Sequence, residues 1–408
     1  MTASSNTLIT PSIIAKEALM QLENNLVMGS LVHRDYSKEF NKVGSTISIR
    51  KPVKFKSSTG AARVSSDVTE GTVPISIDTQ RHVSWDFSSK DLTMTVDDYS
   101  ERYIKPAMIE LAQQVELSLT SLYSQVPSWT GTAGTTPSTF LTLGGARQKL
   151  IEHAAPGGDT LNAVLNPAAA LNVANDLKTL FVQQKTQTAL ERVKIGKYAG
   201  FDTYESASII NHTVGALGGT PLVAGASQNS NSTPQANSQT LNTDGWTASV
   251  TGVVKAGEVI TIAGVYDVNP KTYQSLGYLK QFVVLADADS GASTGPAALT
   301  IAPAIVTSGP YQNVTAGPAD NAAITVVTGT AATSYAQNLC FHKNAFALVM
   351  ADLDLPDGAA FKARQSANNL SARVVKQYDI DLDRDIIRLD ILYGVKCIYP
   401  ELAVRLTG

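Results

Sequence analysis

The sequence predicts an α+β protein interrupted by an inserted all-β domain. Three observations carry that expectation. Helical and extended patterns alternate between residues 98 and 213. Around residue 214 the composition turns to Thr, Val, Ala, Gly, Ser and Asn with few charges, and a mixed pattern then resumes at Asn338 and closes in a strand, a charged turn and a strand. At 408 residues the chain exceeds what one hydrophobic core usually organises, so two or three domains are expected.

Thr10 can cap a helix whose first residue is Pro11, and Leu19, Leu22 and Leu26 recur at helical spacing up to Gly29. Residues 11–28 read as a helical arm or as an ordinary domain helix. Alternation follows. Ile47, Ile49, Val53 and Phe55 share one face of an outgoing segment, and Val73, Ile75, Ile77, Val83, Trp85 and Phe87 one face of the return. The outgoing limb carries Arg50, Lys51, Lys54 and Lys56; the polar tip carries Arg63 beside Val64, and tip and return limb carry Asp67, Glu70 and Asp78. A two-stranded ribbon is marginal alone in water, so it must lie on something else, either another subunit or its own domain.

Asp98 and Glu101 give a capping-box-like start to a helix whose apolar stripe is Ile104, Met108, Leu111, Val115, Leu119 and Leu122. Roughly 25 residues of helix extend about 38 Å. Pro106 either kinks its first turns or marks where the straight portion begins. Amphipathic blocks at 143–154 and 166–181, the second with Pro167 in first helical position, flank an apolar run, Leu161–Leu165, that fits a buried strand. Residues 198–204 read as an edge strand. In the β-rich region, 246–254, 259–265, 282–286 and 298–305 read as strands of a small barrel or sandwich, and 228–234 as a mobile surface loop. Such an insertion requires its two ends to lie close together.

Charged residues are 16% of the chain and the net charge is −3, so no global positive field exists to hold a phosphate backbone. Cys340 and Cys397 are too few for a disulfide framework and read as buried thiols in a reducing cytoplasm. The start, Met1 to Pro11, has neither the basic nor the apolar region of a secretory signal, and no apolar run has membrane-spanning length. The five histidines fall in five different expected elements without metal-like spacing, and no nucleophile elbow or phosphate loop occurs. No catalytic residue, cofactor or metal is therefore expected. Asp381, Asp383 and Asp385 lack the central Gly and terminal Glu of a calcium loop. Strand alternation sets them on one face opposite Arg384, as a solvated or cross-subunit acidic surface. Residues 352–357 read as an acidic loop.

Three landmarks occur in order: Asn166-Pro167 after an apolar strand, Ala199-Gly200-Phe201-Asp202 before the β-rich insert, and Tyr393-Gly394-Val395 with Pro400-Glu401 and Ala403 near the end. Together they resemble the major capsid proteins of tailed bacteriophages with the HK97-like fold, specifically the short-tailed Salmonella-phage coat family with an inserted telokin-like domain. The resemblance implies an N-arm at 1–45, an extended hairpin loop lying over a neighbour at 46–92, and a spine helix and peripheral domain at 93–137. It further implies an axial domain at 138–213 and 336–371, the inserted barrel at 214–335, and peripheral C-terminal strands at 372–408.

On the same resemblance the chain is a coat protein assembling as pentamers and hexamers into an icosahedral head shell. Scaffolding and portal proteins are its expected partners. The shell encloses double-stranded DNA without sequence-specific binding, contacts no membrane, and is assembled in the bacterial host cytoplasm. The family's inter-capsomer loop is best matched by 228–244, including Gln228, Asn231 and Asp244, and is nearly uncharged. Arg50, Lys54 and Lys56 are expected to meet acidic groups such as Asp381 or Asp383 of an adjacent subunit, with no covalent crosslink. Two other functions fit parts of the sequence. A β-rich surface adhesin is opposed by the mid-chain helix and the missing signal, and an enzyme with a β-domain insertion by the lack of a convergent catalytic set.

Overall fold

The structure is a computed structural model describing residues 11–36, 46–57, 59–61, 70–88, 100–158, 160–176, 196–359 and 361–408. Arg63, Val64, Asp67 and the expected capping residues Thr10 and Asp98 lie outside the described residues, as does the 177–181 end of the third expected helix. The chain divides into two compact units. The first comprises Met1–Ser48, Pro74–Leu119 and Phe346–Lys396, the second Ile49–Val73, Thr120–Ala345 and Cys397–Gly408.

In the first unit the helix Pro11–Asn25 starts on a proline whose missing N–H costs nothing there, and it buries Ala15, Ala18, Leu19 and Leu22. That face packs on the antiparallel strands Phe361–Ala367 and Leu370–Asp379. A short helix, Met28–Leu31, follows. Its first amides, of Met28 and Gly29, donate to Glu116 Oε2 and Oε1 at 3.0 and 2.9 Å. Glu116 is buried, and burial pushes its carboxyl above the usual range despite those amides. Glu116→Ala leaves two amide donors without their acceptor. It is expected to cost about 1–3 kcal/mol and to speed hydrogen exchange at the Met28 and Gly29 amides.

Glu116 belongs to the α-helix Lys105–Thr120, which follows a π-turn at Ser100–Ile104 and continues into a 3-10 turn at Ser121–Gln125. Pro106 stands in the first turn of the α-helical part, so it marks that start. Ile104, Met108, Leu111, Val115, Leu119 and Leu122 are all buried, the stripe expected from the sequence. Beside the helix in this unit, the long strand Arg384–Cys397 turns Ile387, Leu389, Ile391 and Tyr393 inward at period two. The Tyr393 hydroxyl shares a 2.8 Å hydrogen bond with Ser118 of the helix. Leu370–Asp379 pairs with one edge of this strand and Thr79–Ser88 with the other, so the return limb's Val83, Trp85 and Phe87 belong to a five-stranded sheet. Gly394 has a steric reason: a Cβ there would collide with the Ser76 carbonyl oxygen.

In the second unit a six-stranded mixed sheet runs Trp129–Thr130, Ala403–Leu406, Asn338–His342, Leu161–Leu165, Phe201–Glu205, Lys197–Tyr198. Helices Phe140–Glu152 and Pro167–Asp176 cover it through Leu143, Leu150, Ala169 and Val173, against Ala163, Leu165, Phe201 and Val404. Asn166 caps the second helix, its Oδ1 accepting the Ala169 amide at 3.0 Å. Residues 198–204 are not one strand. Ala199 (φ 49°) and Gly200 (φ 84°) form a two-residue turn between paired strands, with Lys197–Tyr198 at the sheet edge. The segment 372–408 also divides, because Ala403–Leu406 pairs with Asn338–His342 and Trp129–Thr130 in the second unit rather than with the first unit's strands.

The insert is an antiparallel sheet ordered Ile324–Val326, Val259–Val268, Ser275–Val284, Ala297–Ala302, Gln239–Trp246, Gly219–Val223. A bridge between Leu222 and Ala323 brings the two edges together, so the sheet closes into a barrel. Its core includes Val223, Leu241, Trp246, Ile262, Phe282, Leu299 and Ile301. Trp246 ends a strand rather than beginning one; Ser249 (φ 58°) and Gly252 (φ 62°) then turn the chain, which rules out an extended run over 246–254. The two linkers pair antiparallel, Asn211–Thr213 with Ser334–Ala336, which holds the insert's ends together.

Candidate assembly surfaces

The charged ribbon is a two-stranded sheet of Thr46–Arg50 and Thr72–Ser76, extended by the Lys51 amide donating to the Gly71 carbonyl at 2.8 Å. Its limbs attract each other weakly: Arg50 Nη1 and Glu70 Oε2 lie 3.5 Å apart, both exposed. Beyond Arg50 the outgoing limb lies along the barrel of its own unit. Lys51 Nζ donates to Asn237 Oδ1 at 2.8 Å, the Lys54 amide to the Tyr311 hydroxyl at 3.0 Å, and Lys56 Nζ sits 4.7 Å from the Tyr273 ring centre. These contacts hold the limb and leave Lys54 exposed and Phe55 67% exposed. A solvated, basic-apolar-basic edge results.

Asp381 and Asp383 do not alternate along a strand. Residues 380–383 form the turn between Leu370–Asp379 and Arg384–Cys397, with Asp383 at φ 46°, a conformation Asp tolerates better than most residues. The Asp381 amide donates to Asp379 Oδ1 at 3.0 Å and the Tyr378 hydroxyl to Asp383 Oδ1 at 2.7 Å. Asp385 stands on the following strand, 2.8 Å from Lys376 Nζ, and Arg384 pairs with Asp86. What the turn exposes is apolar as well as acidic: Ile380 is 81% and Leu382 57% exposed between Asp379, Asp381 and Asp383. Deeper in the same sheet Asp390 is buried and neutralised by Arg373 Nη2 and Arg388 Nε, each at 2.6 Å.

The 228–234 segment is on the surface but is not a slack loop. Gln228 Nε2 donates to the carbonyls of Ala224 and Asn242 at 2.9 and 3.1 Å while its Oε1 accepts the Asn242 amide at 2.7 Å. Asn231 exchanges two bonds with Thr307, and the Ser230 amide donates to the Ile305 carbonyl. The polar side chains satisfy nearby backbone, which pins the turn. Asp244 lies in the strand Gln239–Trp246, opposite Leu222, not in a loop.

Sequence patterns missed a set of buried polar contacts in the second unit. His153, at the end of helix Phe140–Glu152, lies 2.9 Å from Asp267 Oδ2, whose other oxygen accepts from Lys280 Nζ at 2.9 Å. Nearby, Lys149 donates to Gln281 and the Tyr278 hydroxyl to Glu152, each at 2.8 Å. Burial lowers the Lys149 ammonium to about 8. A basic or acidic residue among strand hydrophobics, as in Ala403-Val404-Arg405-Leu406, was the available signal. Among the described residues no group of three His, Cys, Asp or Glu side chains is placed to hold a metal, and no helix is long and apolar enough to cross a membrane. Burial raises the Cys340 thiol to about 12.

A family model described as P22 coat protein, gene protein 5, matches residues 1–408. The chain belongs to the P22 coat protein family. It is a major capsid protein of mixed α+β fold, a structural protein that forms the phage head shell, and its place is the virion capsid. Solved structures similar to this coat protein include one from Mycobacterium phage Che8, at 14% identity over 93% of this chain and 90% of that one, with a TM-score of 0.49. The capsid of cyanophage P-SCSP1u is 11% identical over 93% of this chain and 87% of that one, with a TM-score of 0.47. The CUS-3 coat protein I-domain is 30% identical, covering 29% of this chain and 98% of that one, with a TM-score of 0.18. No curated protein matches the chain.

Proposed function

We propose that the basic-apolar limb of the ribbon of one copy seats on the acidic-apolar hairpin turn of the next, and that this contact recurs around pentamers and hexamers. The observation that carries the reading is complementarity: Lys54, Phe55 and Lys56 on one surface, Ile380, Asp381, Leu382 and Asp383 on the other, each with a large exposed apolar side chain between like charges. Burying Phe55, Ile380 and Leu382 contributes about 1.5–3 kcal/mol each, while the rim charges set orientation. Contacts of this size suit a shell whose copies occupy slightly different environments.

The assignments go with that reading: N-arm 1–45, extended loop 46–92, spine and first peripheral part 93–137, axial parts 138–213 and 336–371, inserted barrel 214–335, and C-terminal peripheral strands beginning at 372. Gln228, Asn231 and Asp244 face the barrel's own partners across capsomers. The coat protein performs no catalysis, binds no DNA sequence, works with scaffolding and portal proteins, and is assembled in the bacterial cytoplasm around a genome it encloses.

The double substitution Lys54→Glu/Lys56→Glu is expected to cut particle yield at least tenfold while the isolated subunit keeps its far-ultraviolet circular dichroism and unfolding midpoint. Adding Asp381→Lys/Asp383→Lys restores particles. Normal yield from the first variant defeats the proposal.

A further inference from the structure

At the root of the insert, four buried residues carry five side-chain atoms that have no hydrogen-bond partner. Arg405, in the last strand, is completely buried between the rings of Tyr123 and Trp129, 5.6 and 5.3 Å from its guanidinium carbon. Its Nη1 donates to the Gly257 carbonyl at 2.7 Å and to Gln337 Oε1 at 3.3 Å, but Nε and Nη2 have no partner. Glu258, the residue after that carbonyl, is also 0% exposed; one oxygen accepts the Gly215 amide and Oε2 has no partner. Thr328 flanks Glu258, since the preceding amide, of Val327, donates to the Val259 carbonyl, and its buried hydroxyl is unpartnered. His212 pairs through Nδ1 with the Tyr123 hydroxyl at 3.1 Å, and its Nε2 is unpartnered.

The Arg405 charge is coupled to both His212 and Glu258. Burial and then the Arg405 charge lower His212 to about 4, and Arg405 is itself lowered by burial with Glu258 among the charges that support it. The guanidinium offers N–H donors; the Glu258, Thr328 and His212 atoms can accept. Each buried polar group left unmet costs about 1–3 kcal/mol, so four such residues together would consume much of a stability margin of about 5–15 kcal/mol. The donors repel a metal ion, and the carboxyl disfavours a fixed anion. A small neutral molecule that both donates and accepts satisfies every one of them.

We propose that Arg405, Glu258, Thr328 and His212 enclose a hydration site, in which ordered water bridges the guanidinium to the carboxyl, the hydroxyl and the imidazole. Buried waters of this kind make about three hydrogen bonds and behave as structural parts. The site's position gives it a role. His212 and Gln337 lie on or next to the paired linkers and Glu258 adjoins a barrel strand, so the water cluster fastens both linkers and the barrel to the C-terminal strand.

The test is a high-resolution experimental structure of the full chain, with amide hydrogen exchange on Arg405→Met and Thr328→Val. Water within hydrogen-bond distance of Arg405 Nη2 and Glu258 Oε2 supports the proposal; a direct Arg405–Glu258 ion pair, or a dry contact, overturns it. Arg405→Met is expected to speed exchange of the Gly215 amide at least tenfold. Should that variant fail to fold, Thr328→Val, which alters only the hydroxyl, is expected to speed the same amide several-fold, and exchange unchanged in Thr328→Val overturns the proposal.

Discussion

Asp267→Ala is expected to destabilise the second unit by about 3–5 kcal/mol, the usual cost of removing one partner from a buried ion pair. Asp267, Lys280 and His153 are all buried, and the carboxylate accepts from Lys280 Nζ, His153 Nε2 and the Val268 amide. Burial pushes that carboxyl up, yet the Lys280 ammonium and the His153 hydrogen bond outweigh it and hold it at about 2. Alanine leaves an ammonium in the interior with no counter-charge. Trp129 and Trp246, both buried in this unit, report its unfolding by fluorescence. Lys280→Met in the same chain is expected to recover most of the loss, because the stranded charge goes with it. A loss below about 1 kcal/mol, the range of a surface pair, contradicts the account.

The second large effect depends on pH. Burial raises the Glu258 carboxyl from its usual value to about 7, against the opposing pull of the Gly215 and Lys255 amides and the Lys255 charge; Asp287 adds to the rise. Between about 4.5 and 7 the folded chain therefore holds a proton that the unfolded chain releases. Stability from this group accordingly falls as pH rises through that window and levels off above it. Glutamine keeps the acceptor for Gly215 and has no proton to lose. The stability of Glu258→Gln relative to the parent is expected to improve by about 3 kcal/mol from pH 4.5 to 8, followed by urea unfolding at several pH values. His212, lowered to about 4, has the opposite slope between about 4 and 6.5, but it is present in both chains and cancels in the difference. A difference independent of pH refutes the assignment.

Legibility in the sequence followed the range of the forces. Periodic burial was readable: the stripe Ile104 to Leu122 and the helix face of Leu19 and Leu22 came from spacing alone, because a helix or strand fixes which neighbours share a face. The three landmarks were readable as residues but not as causes. Only the structure shows Asn166 capping a helix, Ala199-Gly200 turning a hairpin and Gly394 passing the Ser76 carbonyl.

Turns were misread where polar residues serve either strand or turn, as at 246–254 and at Asp381 and Asp383. The partners of the buried charges were not readable, because Asp267 with His153, and Arg405 with Gly257, join residues more than a hundred positions apart. Charge in a sequence reads as surface until its partner is found.

The ribbon contact is tested most directly by an electron-microscopic reconstruction of the assembled particle at side-chain resolution. The expected result is a closed shell in which Phe55 of each subunit packs against Ile380 and Leu382 of its neighbour, with Lys54 near Asp381. Shells in which Phe55, Ile380 and Leu382 all remain in solvent contradict the account, and so does a chain that forms no shell.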